Sequence, residues 1–327
     1  MQFPFPTAVP ARHDWLSVRH DHRLALYEYG AADGIPVLLL HGGPGSGSSA
    51  WLPRLFDPAR WRVIAYDQRG AGASTPAGDT QHNDTALLLE DLRALRCHLG
   101  IGRWLLVGGS WGATLALLHA LDEPHAASGL LLRGSFLARP QDVADFFALR
   151  ADDDAKAWQA LQDAVAASPG VPWLDALAQA LQRDDSQAHA VAAAWARWEA
   201  QRVTAAPCGA TAAAATAPAS AATLQRYRVQ SHYLRHHCWL ADAPLRARAH
   251  ALPPVPTLLL HGSVDRVCPL AGAQALAACA PHIELRVVDG AGHDPTHPAM
   301  SAALQQALAR FAEVGRFSDA GSAEKPR

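Results

Sequence analysis

Trp104-Leu105-Leu106-Val107-Gly108-Gly109-Ser110-Trp111-Gly112-Ala113-Thr114-Leu115-Ala116-Leu117-Leu118 passes from a short apolar run, through a glycine turn, into a helical stretch. This is G-x-S-x-G spacing in strand-turn-helix context. The turn is too sharp for bulky neighbours, so glycines flank a serine whose backbone is strained and whose hydroxyl is pushed up at the helix start. A serine held that way is suited to attack a carbonyl. Taken alone, the same pattern also fits a tight glycine turn with an incidental serine, and the rest of the chain decides between the two.

Outward from this turn, apolar runs of four to six residues alternate with longer helical patterns, the signature of crossover units on a largely parallel sheet. Residues 35–40, 61–66, 104–107 and 129–132 read as the first buried strands, and residues 257–260 and 284–288 as two that return late. Residues 24–29 read as an antiparallel edge strand. Between the second and third buried strands, Leu88, Leu92, Leu95 and Leu99 share one helical face that stops at Gly100. A last helix is expected over roughly 298–311. The stretch 138–242 holds no convincing strand and reads as a helical cap inserted into a core formed by 1–137 and 243–327. Within it, residues 205–222 are dominated by Ala, Thr and Pro, and Pro207 and Pro218 argue for a connection rather than one helix. The tail after Phe317 is expected to be disordered. The fold class is α/β, with a mostly parallel central sheet flanked by helices.

At 327 residues the chain can bury a large core. Half the residues are hydrophobic, 18% are charged and the formal net charge is −2, so no basic footprint points to nucleic acid or an anionic membrane surface. Five cysteines, Cys97, Cys208, Cys238, Cys268 and Cys279, are odd in number and form no C-x-x-C pair, which suggests neither a disulfide framework nor a metal site. The N-terminus has no basic start and no apolar run of signal length, and no segment is long enough for a bilayer, so the expected location is the cytoplasm. No cofactor is expected.

A serine hydroxyl at its ordinary pKa is a poor nucleophile; it needs a histidine to take its proton and a carboxylate to orient that histidine. In sheet-based hydrolases these follow in the order Ser, Asp, His. Asp265 lies just after one late strand, in His261-Gly262-Ser263-Val264-Asp265, and His293 just after the next, in Asp289-Gly290-Ala291-Gly292-His293. Turns at the carboxyl ends of strands form the edge of an open α/β sheet where sites assemble. Ser110, Asp265 and His293 are therefore the candidate triad. His261, His297, Asp289 and Asp294 are nearby groups of the same types, with His261 and His297 expected to pack or cap.

Acyl transfer also needs donors aimed at the developing oxyanion. His41-Gly42-Gly43-Pro44-Gly45 follows the first buried strand and matches the HGGG-type loop that offers one backbone N–H, and the residue after the nucleophile, Trp111, offers the second. Gly43 and Trp111 are the candidate oxyanion donors. Asp67 and Arg69, in the glycine turn after the second strand, are expected to brace loops.

These stretches, with Asp67-Gln68-Arg69-Gly70 and Arg133-Gly134-Ser135-Phe136, resemble the prolyl aminopeptidases (proline iminopeptidases), serine peptidases of the α/β-hydrolase fold, along nearly the whole chain. Trp195-Ala196-Arg197-Trp198-Glu199 is similar to the family's Trp-x-x-Trp-Glu, and Ser231-His232-Tyr233 to the segment carrying its second acidic residue. A serine at position 110 sets the chain apart from relatives of the fold that use a carboxylate nucleophile, the epoxide and haloalkane hydrolases. The resemblance implies removal of an N-terminal residue, usually proline, from short peptides or amino-acid amides. It implies Glu199 as the carboxylate that holds the substrate's amine through a charge-assisted hydrogen bond. It places Phe136, Phe146 and Cys268 at the proline pocket and Arg133 on its polar wall.

The chain departs from the family at Gln230, where a glutamate is typical and a neutral amide stands instead. One charged hydrogen bond contributes roughly 1.5–3 kcal/mol, so the exchange bears on which substrate is preferred while leaving the triad untouched. A small-molecule esterase, lactonase or amidase is the alternative reading, and a non-catalytic ligand-binding protein on the same scaffold the second alternative. Partners other than a small peptide or amide substrate are not indicated, and oligomeric state is left open.

Overall fold

The computed structural model describes residues 4–5, 9–204, 219–241 and 244–318. The tail 319–327 and most of the 205–222 stretch lie outside the described residues. Of that stretch, Ala219 and Ser220 are irregular and a helix already begins at Ala221, two residues earlier than expected.

Eight strands form one sheet: β1 (Arg12–Ser17), β2 (Arg23–Gly30), β3 (Ile35–Leu40), β4 (Trp61–Tyr66), β5 (Trp104–Gly109), β6 (Ala127–Arg133), β7 (Thr257–Gly262) and β8 (Ile283–Val288). Their order is β1-β2-β4-β3-β5-β6-β7-β8, with β1 and β2 antiparallel and all pairs from β4 onward parallel. The expected edge strand is thus not at the edge. β2 is the second strand, and β1 outside it was not anticipated because its Arg12, His13, Asp14 and Ser17 give it the polar surface with which edge strands avoid further pairing.

Both faces of the parallel strands are covered, which is why they read as continuous apolar runs. Alternate residues Leu38, Leu40, Leu106 and Leu132 face one layer, where α1 (Thr85–His98) and α2 (Trp111–Asp122) pack. Val37, Leu39, Leu105, Val107, Leu258 and Leu260 face the other. α1 is started by the Asp84 side chain, which accepts from Leu87 N at 2.9 Å. It buries Leu88, Leu92 and Leu95 and leaves Leu99 half-buried just past its end. α2 is buried at every residue from Trp111 to Ala120, as expected for a helix apolar on all sides.

Between β6 and β7 the described residues hold helices and no strand: α3 (Pro140–Phe146), α4 (Ala155–Val165), α5 (Trp173–Gln182), α6 (Ser186–Thr204), α7 (Ala221–Arg235) and α8 (Leu245–Arg248). α3 to α7 form an inserted helical cap with its own aromatic core around Phe147, Leu177, Trp195, Trp198 and Tyr227. α9 (Leu270–Ala277) follows β7, and α10 (Pro298–Val314) closes the chain over the second face through Met300, Leu304, Leu308 and Phe311. α10 runs one turn beyond its expected end and stops at Gly315 in the left-handed region.

The chain leaves β3 outward to β4, then crosses back to β5 on the other side of β3. The crevice at this reversal, outside the carboxyl ends of β3 and β5, is where open α/β sheets place ligands. The loop after β3 is 41–45, and the turn after β5 carries Ser110.

The Asp67–Arg69 turn braces the neighbouring loops. Asp67 accepts from Ser48 N at 2.6 Å and Ala73 N at 2.8 Å. Arg69 makes a two-pronged pair with Asp91 of α1 at 2.6 and 2.7 Å, and donates to the carbonyls of Arg19 and His82. Both side chains of the pair are essentially inaccessible to water. Asp91→Ala strands a buried guanidinium, and the expected loss is about 3–5 kcal/mol in urea unfolding. A loss below about 1 kcal/mol, the size of a surface pair, would show that the bracing role is wrong.

Candidate active site

Ser110 sits between β5 and α2 with φ 57° and ψ −122°, a conformation that L residues rarely adopt. Tight packing on both sides of the turn enforces it. A Cβ on Gly112 would lie 2.0 Å from the Leu40 carbonyl oxygen, and one on Gly108 would lie 2.3 Å from the Gly112 carbonyl oxygen. α2 therefore presses directly on the end of β3, and the serine is carried up at the first turn of the helix. Its N–H is spent on the Arg133 carbonyl at 2.9 Å, which ties the turn to β6. The next N–H, that of Trp111, is the first of α2 and one that no intrahelical carbonyl reaches.

His293 and Asp265 are brought together from the ends of β8 and β7, with Nδ1 and Oδ2 2.7 Å apart. The other carboxylate oxygen accepts from Val267 N at 2.9 Å and Cys268 N at 2.8 Å, so the group is held at three points. Burial raises the pKa of Asp265, but the His293 imidazole, its hydrogen bond and the Cys268 N–H outweigh it and hold the carboxyl below its ordinary value. His293 is fixed from behind as well, since Arg133 donates to its carbonyl oxygen at 2.5 Å. Ser110 and His293 line the same cleft, although in this rotamer the Ser110 hydroxyl faces Cys268 Sγ at 4.0 Å rather than bonding the imidazole. Catalytic hydrogen bonds commonly tighten only when substrate is bound.

His261 packs as expected, fully buried with Nε2 2.8 Å from the Cys268 carbonyl oxygen, and His297 occupies the position before α10. Cys268 is buried, and burial pushes its thiol well above the ordinary range, which leaves it an inert wall group.

The 41–45 loop is held by a network the sequence reading did not anticipate. His41 Nε2 accepts from Gln68 N at 3.0 Å, which leaves the proton on Nδ1, 2.9 Å from the Gly42 carbonyl oxygen. Burial lowers the His41 pKa, in keeping with a neutral ring. The Gln68 side chain donates to the His41 carbonyl at 3.0 Å and accepts from the Trp111 indole N–H at 2.9 Å. One glutamine thus joins the loop carrying Gly43 to Trp111.

The cap roofs this edge. α7 approaches the loop closely, because a Cβ on Gly45 would lie 2.6 Å from the Arg226 carbonyl oxygen. Tyr233 donates to the Asn83 side chain at 2.9 Å, and His232 Nε2 lies 2.9 Å from the Asn83 carbonyl oxygen, so the His-Tyr pair docks α7 on the core. In α6, Trp195 stacks on Tyr227 at 4.5 Å and Trp198 donates to the Phe146 carbonyl at 3.0 Å. With both tryptophans turned into the cap core, Glu199 is directed to the cleft.

The resulting cleft encloses about 790 Å3, open mouth included. Gly43, Ser110, Arg133, Phe136, Phe146, Glu199, Gln230, Cys268 and His293 all line it. Trp111 and Asp265 lie behind the wall, both buried. Among the described residues no group of His, Cys, Asp and Glu could hold a metal ion, and no helix is long and apolar enough to cross a membrane.

The environment of Glu199 was not foreseen. Arg226 donates from an η nitrogen to one carboxylate oxygen, and Tyr227 donates to the other at 2.9 Å. Arg226 precedes Gln230 by one helical turn of α7, a spacing that puts both on one face, and that was the available signal.

The family pattern described as the alpha/beta hydrolase fold matches residues 35–297. A proline iminopeptidase of Xanthomonas citri is 34% identical over 95% of this chain and its own full length, and one of Neisseria gonorrhoeae is 34% identical over 91% of this chain and 96% of its own. Among solved structures, VinJ superposes with a TM-score of 0.65 at 21% identity, covering 93% of this chain and 99% of its own. An esterase of Exiguobacterium antarcticum superposes with a TM-score of 0.62 at 20% identity, covering 92% of this chain and 100% of its own. These two likenesses speak to fold alone. A strained serine beneath a helical cap, on a sheet of this order, and full-length similarity at 34% identity lead to one assignment: the chain belongs to the proline iminopeptidase family of the α/β-hydrolase fold.

Proposed function

We propose that the protein is a serine aminopeptidase that releases an N-terminal residue, preferentially proline, from short peptides or amino-acid amides. The observation that carries this reading is the meeting in one cleft of Ser110, His293 and Glu199 with the apolar walls Phe136 and Phe146. The names of the relatives support it.

In this reading the Ser110 hydroxyl adds to the carbonyl carbon of the substrate while its proton passes to His293 Nε2. The oxygen of the tetrahedral intermediate takes hydrogen bonds from Gly43 N–H and Trp111 N–H. The C–N bond then breaks, the leaving amine takes the proton from His293, and the N-terminal residue remains esterified to Ser110. Water, deprotonated by His293, hydrolyses that ester. Asp265 keeps Nδ1 protonated and stabilises the imidazolium in both halves. Phe136, Phe146 and Cys268 hold the pyrrolidine ring, Arg133 walls the cleft, and Glu199 and Gln230 meet the amine end. We place the cap at 138–242 and the core at 1–137 and 243–327, and the cytoplasm as the site of action.

The Glu199–Arg226 pair favours a second reading, a small-molecule esterase, lactonase or amidase, because it leaves the amine end of the cleft without an unpaired carboxylate among the described residues. Glu199→Gln separates the two: the aminopeptidase is expected to lose affinity for peptides through a raised KM, whereas the esterase is expected to keep its turnover of simple esters.

Steady-state hydrolysis of proline, alanine and N-acetyl-proline anilides tests the proposal directly. Turnover of the free-amine substrates, proline ahead of alanine, is the expected result. Turnover of the blocked substrate alone would overturn it. Asp265→Asn is expected to lower kcat about 10,000-fold with KM little changed, and a drop of less than about tenfold would remove Asp265 from its role.

A further inference from the structure

The cleft is lined by two carboxylates besides the triad, and each already has a guanidinium. Asp142 is held by Arg139, with Nη2 2.5 Å from Oδ1 and Nε 3.0 Å from Oδ2. Glu199 is held by Arg226. Gln230, which also lines the cleft, carries no charge, and its Oε1 is buried with no hydrogen-bond partner. A free N-terminal ammonium entering this end of the cleft therefore meets a salt bridge and one vacant neutral acceptor.

The hold on Arg226 is narrow. Among the described residues its guanidinium bonds only Glu199, no carbonyl oxygen pins it, and its Nε is buried without a partner. The Tyr227 ring lies beneath it at 5.0 Å. A third of the side chain is exposed, against 15% for Glu199. Arg226 can thus leave while Glu199 stays, because Tyr227 keeps its own bond to the second carboxylate oxygen.

We propose that Arg226 is a specificity-determining residue that occupies the amine seat as an internal cation, which a substrate ammonium must displace from Glu199 before it binds. The inference rests on the aminopeptidase reading. Once Arg226 has moved, the incoming ammonium donates to Glu199 Oε1 and to the vacant Gln230 Oε1, which answers the orphaned acceptor. A substrate with a blocked, uncharged N-terminus gains nothing from Arg226 leaving.

The test is a KM and kcat comparison on proline anilide and N-acetyl-proline anilide for the native chain, Arg226→Met, and the same substitution in a Glu199→Gln background. Arg226→Met is expected to lower KM for proline anilide about tenfold to a hundredfold, the value of one charged hydrogen bond, with kcat moved far less. KM for the blocked anilide is not expected to fall, and the gain is expected to vanish with Glu199→Gln. A thermal melt reports whether Arg226→Met folds, and Arg226→Gln is read in its place if it does not. If the native chain turns over proline anilide and the folded variant has the same or a higher KM, Arg226 is structural and the inference falls. If no chain turns over any free-amine substrate, the aminopeptidase reading falls and takes this inference with it.

Discussion

The contact between Gly112 and the Leu40 carbonyl oxygen is the constraint on which the site depends. No side chain fits between helix α2 and the end of β3, so the helix starts as close to the sheet as backbone allows. The residue that bridges strand and helix must then take φ 57°, and that residue is Ser110. Strain of this kind costs on the order of 1–3 kcal/mol, and the buried length of α2 and the parallel strands around it hold it in place. The Trp111 N–H follows directly after it, at the first turn of α2.

A second layer of restraint joins elements that are distant in sequence. Gln68 links the His41 carbonyl to the Trp111 indole, Arg133 reaches from β6 to the His293 carbonyl, and Asn83 receives both His232 and Tyr233 from the cap. Each is a polar group spanning two loops at the carboxyl edge of the sheet. Asn83 ties the cap to the core, and α7 itself packs on the 41–45 loop at Gly45. Glu199 and Gln230 line the cleft from the cap, and Ser110 and His293 from the core.

The fold was readable because buried parallel strands write themselves as unbroken apolar runs, and 35–40, 61–66, 104–107 and 257–260 needed no partner to be recognised. β1 was not, because an exposed edge strand is polar and carries only a weak alternation. That Ser110, Asp265 and His293 lie at one edge of the sheet was readable from order and position, each just after a strand. Glu199 was reached through the family's Trp-x-x-Trp-Glu pattern, but its partner was not, since Arg226 lies 27 residues away and meets it only when α6 and α7 pack. Gln68 escaped notice for a similar reason: an amide between an aspartate and an arginine has no spacing rule, and its two bonds exist only in the folded chain. Interactions written along one element were visible; those made across elements were not.

The account stands on Ser110 being a nucleophile activated by His293. A fluorophosphonate probe, followed by peptide mass spectrometry, reads this without any assumption about substrate. The account predicts a single adduct on Ser110 in the native chain and its loss in His293→Ala. An unlabelled native protein, an adduct on another residue, or equal labelling in His293→Ala would contradict it.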